Sequence, residues 1–412
     1  MPRRVVITGI GVVAPNGTGA EAFWQATCRG VSGIKRIARF ATAQIPISVA
    51  GEVDSFVAED VLDRKLVNRT DRMTHFALAA VAEALTDSRI DLAREPLHRV
   101  GAVIANTMGG VTYIMAQIAA LHLRGPRFMS AHSAIAWPQG ANVGQTAVRY
   151  GLQGYCTTPV NDTVGGLDAL GMAYRAIRRG AVEVMITGGC EALLHPTMLM
   201  VLAHSNHCTT DSDLTAYRPF DRRANGLILA EGAGICILEA YDHALQRSAP
   251  LYGEVVGYGQ THDAATWNTP PKSGTHYARA ITLAMHEGGI APMEIGYVSL
   301  DGRATPAWDR TEADALHQAL GAEADRLPVS VPRTTIGHSY AAAGALDTIT
   351  ALLGLHHCLV PPTINCQEVD DGYGLNVVRD TPGHLTRPVV LIGGRGMSGA
   401  NVVLAIKRLS EP

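Results

Sequence analysis

Thr163 lies where the sequence changes from an extended pattern to a helical one. The pair Gly165 and Gly166 allows a sharp turn there, and apolar residues then recur at helical spacing. Such a turn, called the elbow below, presents one side chain at a helix start, which is a position used by catalytic nucleophiles. A threonine hydroxyl needs a general base to react, and none lies near Thr163 in the sequence. We therefore interpret Thr163 as a turn or capping residue that hydrogen-bonds to its own helix start.

Asp301, Arg303 and His338 are the candidate partners of Thr163 in the second half of the chain. In an extended segment Asp301 and Arg303 share one face, and the guanidinium would keep the carboxylate ionised. We interpret these two residues as a structural ion pair, with a protonated, hydrogen-bond-donating Asp301 as the alternative. His338 precedes a glycine- and alanine-rich helix start, and we interpret it as a packed, hydrogen-bonded residue rather than a catalytic one.

Cysteine and histidine provide two further chemical possibilities. Cys156, seven residues before Thr163, is interpreted as a buried small residue, with a displaced thiol nucleophile as the alternative. His204, His207 and Cys208 are close together, but no second ligand cluster accompanies them, so we predict a loop and no metal site. The seven cysteines contain no CxxC pair, which favours a reducing compartment, and we expect the protein in the cytoplasm.

Long motifs occur in a fixed order along the chain. They are VVITGIGVVAPNG (5–17), NTMGG (106–110), the elbow, EVMITGGCEA (183–192), PFDRRANGLILAEGAGICILE (219–239), DGRATPAWDRTEADAL (301–316), GHSYAAAGALD (337–347) and RGMSGAN (395–401). With these motifs the chain resembles the ketosynthases of the thiolase superfamily over essentially all of its 412 residues. The resemblance implies an α/β, thiolase-like fold of two related halves in a five-layered α-β-α-β-α arrangement.

Active members of that family use a cysteine on the elbow and two histidines. The resemblance places Thr163 at the cysteine position, Asp301 at the first histidine and His338 at the second, while Arg333 replaces a lysine. An ionised Asp301 would put negative charge where the condensation develops it, a repulsion of roughly 4 kcal/mol at 4 Å and an effective dielectric of 20. The resemblance therefore implies a ketosynthase without its nucleophile, and we expect none of these four positions to be catalytically active.

Within the family the pattern is similar to the chain-length factor, the beta subunit of type II polyketide synthases. The DG pair at Asp301 and the GGLDALG run after Thr163 fit that subunit. The resemblance implies a heterodimer with a cysteine-bearing ketosynthase alpha subunit, or a dimer of two heterodimers, and an acyl carrier protein whose phosphopantetheine arm carries the substrate; no other cofactor is expected. Many chain-length factors have glutamine at the elbow and lack the second histidine, so a glutamine-dependent decarboxylation does not carry over.

The resemblance also implies an acyl tunnel at the subunit interface, beside a helix at 110–123. The small or flexible side chains expected to line it are Thr112, Met115, Ala116, Ala119 and Ala120. Met397 stands where active members often have a gating phenylalanine, and a thioether could equally fill a core. The alternative for the helix is an ordinary buried helix. We expect larger side chains in it to shorten the product.

The distribution of apolar, polar and charged residues indicates the fold class and the boundary between the halves. Strand-like runs at 5–7, 100–104, 182–187, 234–238 and 295–300, and a strand pair at 389–406, alternate with helical patterns, which favours buried sheets in an α/β fold. Polar segment 242–250 separates a predicted N-terminal half, 1–241, from a C-terminal half, 251–412. A net charge of −3 without basic runs argues against nucleic acid, and no apolar run is long enough to span a membrane. Two other functions stay open: an acyltransferase that uses Thr163 or a displaced cysteine with His338, and a non-enzymatic homodimer.

Overall fold

The computed structural model describes residues 2–205, 207–267 and 269–409. The strands in these ranges are β1 (Val5–Ala14), β2 (Gly17–Thr18), β3 (Ile34–Arg36), β4 (Val49–Gly51), β5 (Val100–Ala105), β6 (Cys156–Thr157), β7 (Val184–Glu191), β8 (Gly232–Ala240), β9 (Gly253–His262), β10 (Ile295–Ser299), β11 (Pro328–Ser330), β12 (Leu359–Val360), β13 (Asn376–Val377), β14 (Gly383–His384), β15 (Val389–Arg395) and β16 (Ala400–Lys407).

The α-helices in the same ranges alternate with these strands. They are α1 (Ala20–Cys28), α2 (Arg64–Val67), α3 (Arg72–Ser88), α4 (Val111–Arg124), α5 (Ser133–Ala136), α6 (Ala141–Tyr150), α7 (Gly165–Arg178), α8 (Pro196–Ala203), α9 (Tyr241–Gln246), α10 (Thr275–Gly288), α11 (Pro306–Leu320) and α12 (Ala343–His357). No helix in the described ranges is long and apolar enough to cross a bilayer.

The strand pairing repeats itself in the two halves of the chain. In the first half β1 and β7 pair antiparallel with β8, and β5 pairs parallel with β7 and β6. In the second half β9 and β15 pair antiparallel with β16, and β10 pairs parallel with β15 and β11. Antiparallel bonds between β1 and β9 join the two sets into one sheet. This repeat supports the boundary that we propose at 242–250.

Five layers result from the way helices cover these sheets. The first half-sheet is covered on one side by α3, and the second by α10 and α11. Between them α7 and α12 pack against each other and against strands of both halves. Both of these central helices are buried along most of their length, which removes their apolar side chains from water. The predicted thiolase-like arrangement of two related halves is therefore confirmed.

Two glycines show why each half-sheet can approach its outer helix closely. A Cβ at Gly11 of β1 would collide with the carbonyl oxygen of Ala80 in α3. In the second half a Cβ at Gly259 of β9 would collide with the carbonyl oxygen of Ala280 in α10. Any side chain at either glycine would push the helix away from the strand, so the repeat extends from strand pairing to helix packing.

Candidate functional site

Thr163 lies in a single 3₁₀ turn, Asp162–Val164, that leads directly into α7. Its side chain is 5% exposed, and its hydroxyl donates to the carbonyl oxygen of Arg395 at 2.9 Å. The same hydroxyl accepts a hydrogen bond from Nη2 of Arg303 at 2.9 Å. The turn position is as predicted, but the predicted bond to its own helix start is wrong. The hydroxyl instead bonds to a segment at the far end of the chain.

Asp301 is the counter-ion of two buried arginines. Its carboxylate accepts from Nε of Arg303 at 2.8 Å and from Nη1 of Arg333 at 3.2 Å. Arg333 also contacts Asp347, which α12 positions, so four charged side chains form one chain of ion pairs. All four are at most 2% exposed. We call Asp301, Arg303, Arg333 and Asp347 the charge network.

The ionisation of Asp301 follows from this network. Burial alone raises the pKa of a carboxyl group, but Arg303 and Arg333 outweigh it and lower the pKa of Asp301 to about 2. The carboxylate of Asp301 is therefore negatively charged at neutral pH. The predicted structural ion pair with Arg303 is present, and the alternative of a protonated, donating Asp301 does not agree with this environment.

Aromatic and acidic side chains fill the space around the network. Arg303 and Arg395 each lie 4.7 Å from the ring centroid of Trp308. Arg395 also donates to the Trp308 carbonyl oxygen at 2.9 Å. Glu312 accepts the backbone N–H groups of Asp301 and Gly302 at 2.8 and 2.9 Å, and burial beside Asp301 raises the pKa of Glu312 to about 7. These contacts fix the turn that carries Asp301.

His338 is fully buried at the start of the segment that leads to α12. Its Nδ1 accepts the backbone N–H of Tyr340 at 3.2 Å, which places the proton of the neutral ring on Nε2. Burial and the nearby Arg333 lower the pKa of His338 well below its usual range, so the ring stays neutral. A ring with Nε2 protonated and Nδ1 engaged cannot accept the proton of Thr163. These contacts support the packed, hydrogen-bonded role expected for His338.

The cysteines and remaining histidines do not supply a substitute nucleophile. Cys156 is only partly buried, so the expectation of a buried residue is wrong there, but desolvation still raises the pKa of its thiol. Burial raises the pKa of Cys208 to about 12, so both thiols stay protonated. His204 is exposed whereas His207 is buried, with its ring 5.5 Å from that of Trp308. The described ranges contain no group of three metal-ligating side chains. His207 instead joins the aromatic side of the charge network.

The predicted tunnel residues lie on α4, most of whose side chains are partly buried or exposed in the single chain. Among the described side chains of α4 only Val111 and Ile114 are buried. Ala116 and Ala119 are exposed, and Thr112, Met115 and Ala120 are partly buried. This exposure disagrees with an ordinary buried helix. Met397 packs in the core of the second half, with its Sδ 4.0 Å from the Tyr340 hydroxyl.

Several residues of the site were not identified from the sequence. Arg395 provides both a carbonyl acceptor and a stacked guanidinium, and it lies 232 residues from Thr163. Asp347 contacts Arg333 from the second turn of a helix 14 residues later. Asp162 could have been found, because it is an acidic residue directly before the elbow threonine. For Arg395 and Asp347 no local sequence pattern indicates the partner.

Comparisons with known proteins agree with this arrangement. The family model "Beta-ketoacyl synthase, N-terminal domain" matches residues 2–244, and "Beta-ketoacyl synthase, C-terminal domain" matches 252–367. The chain is similar to the tetracenomycin polyketide synthase ketoacyl synthase beta subunit of Streptomyces glaucescens, with 39% identity over 99% of each protein.

Two solved structures are similar over the full length of both chains. One is the ishigamide ketosynthase/chain length factor, with a TM-score of 0.93 and 29% identity. The other is AntDE:AntF, described as a type II polyketide synthase acyl carrier protein in complex with its ketosynthase bound to the hexaketide, with a TM-score of 0.91 and 28% identity. From the two family models and the match along nearly its whole length, the chain belongs to the beta-ketoacyl synthase family.

Proposed function

We propose that this protein is the chain-length-factor-like subunit of a type II polyketide synthase ketosynthase heterodimer. It shapes the acyl tunnel while a cysteine-bearing partner carries out decarboxylative condensation of acyl and malonyl units. The observation that carries the proposal is the buried Thr163 hydroxyl, which is held between Arg303 and the Arg395 carbonyl. The resemblance assigns this elbow position to the nucleophilic cysteine of active family members. The similarity to a polyketide synthase beta subunit supports the same assignment.

The chemistry of the elbow argues against an acyl-enzyme on this chain. A threonine attacks a thioester only when a base removes its proton, and the two partners of the Thr163 hydroxyl are a guanidinium, which donates, and the Arg395 backbone carbonyl, which is not a general base. His338 is neutral with its proton on Nε2, so it cannot serve as that base. Asp301 is occupied by two arginines. None of Arg303, His338 and Asp301 can therefore take the proton that Thr163 would have to lose to act as a nucleophile.

An exposed apolar surface next to the elbow supports a partner subunit. It is formed by α4 and the segment after it, which contact each other. Its large apolar side chains, with Leu123 84% and Trp137 53% exposed, are Leu123, Phe128, Met129, Ile135 and Trp137. We call this set the α4 surface. Exposed apolar side chains concentrated in one region are typical of protein interfaces. The cysteine-bearing ketosynthase is the partner that we assign to it.

Small side chains on α4 would leave room for a growing acyl chain at such an interface. Ala116 and Ala119 are exposed in the single chain, and they lie one turn apart on the same helix. Met397, whose thioether can adapt its shape, would form part of the wall from the other half. In this proposal the number of condensation rounds depends on how far the tunnel extends along α4.

The substrate carrier in this proposal is the phosphopantetheine arm of an acyl carrier protein. The neighbour AntDE:AntF is a complex with such a carrier, which supports this partner. Arg3 and Arg4 are poor candidates for docking it, because Arg3 pairs with Glu183 at 2.7 Å and Arg4 with Glu254 at 2.6 Å. We place the assembly in the cytoplasm because the described cysteines form no disulfide.

Intact-subunit mass spectrometry tests the assignment. This chain would be co-purified with a cysteine-bearing ketosynthase and the pair loaded from an acyl-charged carrier protein. We expect a one-to-one complex with the acyl mass on the partner alone, unchanged by Thr163→Ala. An acyl mass on this chain that disappears with Thr163→Ala would instead establish the acyltransferase alternative. A homodimer that does not bind the ketosynthase would establish the alternative of a non-enzymatic homodimer.

Product length tests the tunnel. Ala116→Trp should shorten the polyketide released by the assembled complex, because an indole occupies space that alanine leaves open. Leu283→Trp is a matched control, since Leu283 is also exposed but lies on α10, away from α4. Product length is read by mass spectrometry, and subunit ratio by gel filtration. An unchanged product from a fully assembled Ala116→Trp complex contradicts the tunnel.

A further inference from the structure

Asp162, directly before the elbow threonine, makes more connections than a turn residue requires. Its backbone has φ of +51°, a left-handed conformation that is unfavourable for a non-glycine residue. Its carboxylate Oδ1 accepts the backbone N–H of Thr163 at 2.7 Å, and Oδ2 accepts that of Ser398 at 2.9 Å. Its carbonyl oxygen accepts the hydroxyl of Thr107 at 2.8 Å. One residue thus joins three segments that are distant in the sequence.

The bond from Thr107 connects Asp162 to the beginning of α4. Thr107 lies four residues before α4, and its backbone N–H donates to Glu191 at 2.9 Å. In the first turn of α4 the N–H of Tyr113 donates to Asp71 at 2.7 Å. The start of α4 is therefore held by the carboxylates of Glu191 and Asp71 and, through the Thr107 side chain, by the carbonyl oxygen of Asp162.

The bond from Ser398 connects Asp162 to the segment that carries Met397. Ser398 follows Met397 directly, and its backbone N–H is held by the Asp162 carboxylate. A Cβ on Gly396 would lie 3.3 Å from the same carboxylate, so this segment passes close to Asp162 on both sides of Met397. Asp162 consequently fixes α4 and Met397 relative to each other, although they belong to different halves of the chain.

We propose that Asp162 is a positioning residue that determines product length by holding the start of α4 and the Met397 segment at a fixed separation. The inference rests on the proposed function, because both elements are walls of the proposed tunnel. In this proposal the elbow, which carries no nucleophile in this chain, connects the two halves through the hydrogen bonds that Asp162 accepts from Thr107 and Ser398. We call these two bonds the tie. Asp162 touches no reacting atom, so its effect appears in product length and not in the loading of the partner.

Variants at both ends of the tie test the proposal in the assembled complex. Asp162→Ala removes both carboxylate bonds, and Asp162→Asn keeps the shape while one of its two acceptors becomes a donor. Thr107→Val removes the bond to α4 alone, and Thr107→Ser restores the hydroxyl. The measurements are product-length distribution, acyl loading of the partner, and amide hydrogen exchange at 107–113 and 396–399.

We expect Asp162→Ala to broaden product length at unchanged partner loading and to raise exchange at 396–399 about tenfold, because the Ser398 N–H loses its acceptor, while 107–113 keeps the bond from Thr107 to the backbone carbonyl of residue 162. Thr107→Val should raise exchange at 107–113 only and broaden product length less, and Thr107→Ser should match the wild type. Wild-type product length in Asp162→Ala and Thr107→Val complexes would overturn the proposal. If Asp162→Ala fails to assemble, Asp162→Asn and Thr107→Val decide. A wild-type complex that loads no acyl group refutes the proposed function instead, and the exchange measurement still tests the tie.

Discussion

Asp301→Asn is the substitution for which the charge network predicts a large effect on stability. Asparagine keeps the shape and one acceptor oxygen, but it removes the negative charge between Arg303 and Arg333. Arg333 retains Asp347, whereas Arg303 is left without a carboxylate in contact among the described residues. Removing one partner of a buried ion pair typically costs about 3–5 kcal/mol, and we expect a loss of unfolding free energy in this range at neutral pH.

Urea unfolding of the full-length chain, followed by tryptophan fluorescence, measures this loss. Trp308 reports on the network directly because it lies 4.7 Å from the Arg303 guanidinium. The double variant Asp301→Asn/Arg303→Met should lose less than the sum of its single changes, by about 1–3 kcal/mol, because the orphaned charge is removed. Asp54→Asn, at an exposed pair with Lys35, is the matched control and should cost less than about 1 kcal/mol. A loss below about 1 kcal/mol for Asp301→Asn, with an unchanged urea dependence, would refute the role of Asp301 as counter-ion.

Three further outcomes follow from the described contacts. Thr163→Ala removes one hydroxyl with two hydrogen bonds, so it should cost about 1–2 kcal/mol of stability while product formation by the complex stays at the wild-type rate; a tenfold drop would indicate chemistry at the elbow. Burial raises the pKa of Asp309 to about 8, so the folded chain keeps a proton that the unfolded chain releases near pH 4, and stability falls as pH rises between these values. Asp309→Asn cannot lose a proton and should flatten this fall in urea unfolding at pH 5 and 9; equal falls in both proteins would show that Asp309 is ionised when buried. Leu123→Glu on the α4 surface should weaken the complex at least about tenfold, measured by light scattering, while Leu283→Glu should not; equal affinities would remove α4 from the interface.

The sequence predicted the sheets well because their strands are short apolar runs with clear ends. The runs at 100–104, 295–300 and 389–406 became β5, β10 and the pair β15 and β16. Burial on both faces makes such strands continuously apolar, and that pattern is local. The strand predicted at 182–187 begins two residues later, at Val184, and continues to Glu191. The repeat of the two halves could not be derived from the sequence, because pairing order is not encoded locally.

In the candidate site, too, contacts between neighbouring residues were easier to predict than contacts between residues distant in the sequence. The ion pair of Asp301 and Arg303 was predicted from two side chains on one face of an extended segment, but Gly302 between them has φ of +55°, so a turn and not a strand brings them together. The acceptor of Thr163 was not predictable, since the carbonyl oxygen of Arg395 carries no side-chain signature at all. A hydroxyl beside a helix start is ordinarily expected to cap it, and here a tertiary contact replaced that local bond.

The charge network also affects what would follow from introducing the cysteine and histidine that active family members carry at positions 163 and 301. A histidine introduced at position 301 alone would leave the Arg303 guanidinium buried without its carboxylate. A cysteine introduced at position 163 alone would replace a hydroxyl that makes two hydrogen bonds, to the Arg395 carbonyl and from the Arg303 guanidinium, with a thiol that is only a weak donor and acceptor. Each single reversion therefore lowers stability before any activity can return. Introducing a nucleophile and its partners at these positions would therefore need several substitutions together, because each residue of the charge network stabilises its neighbours.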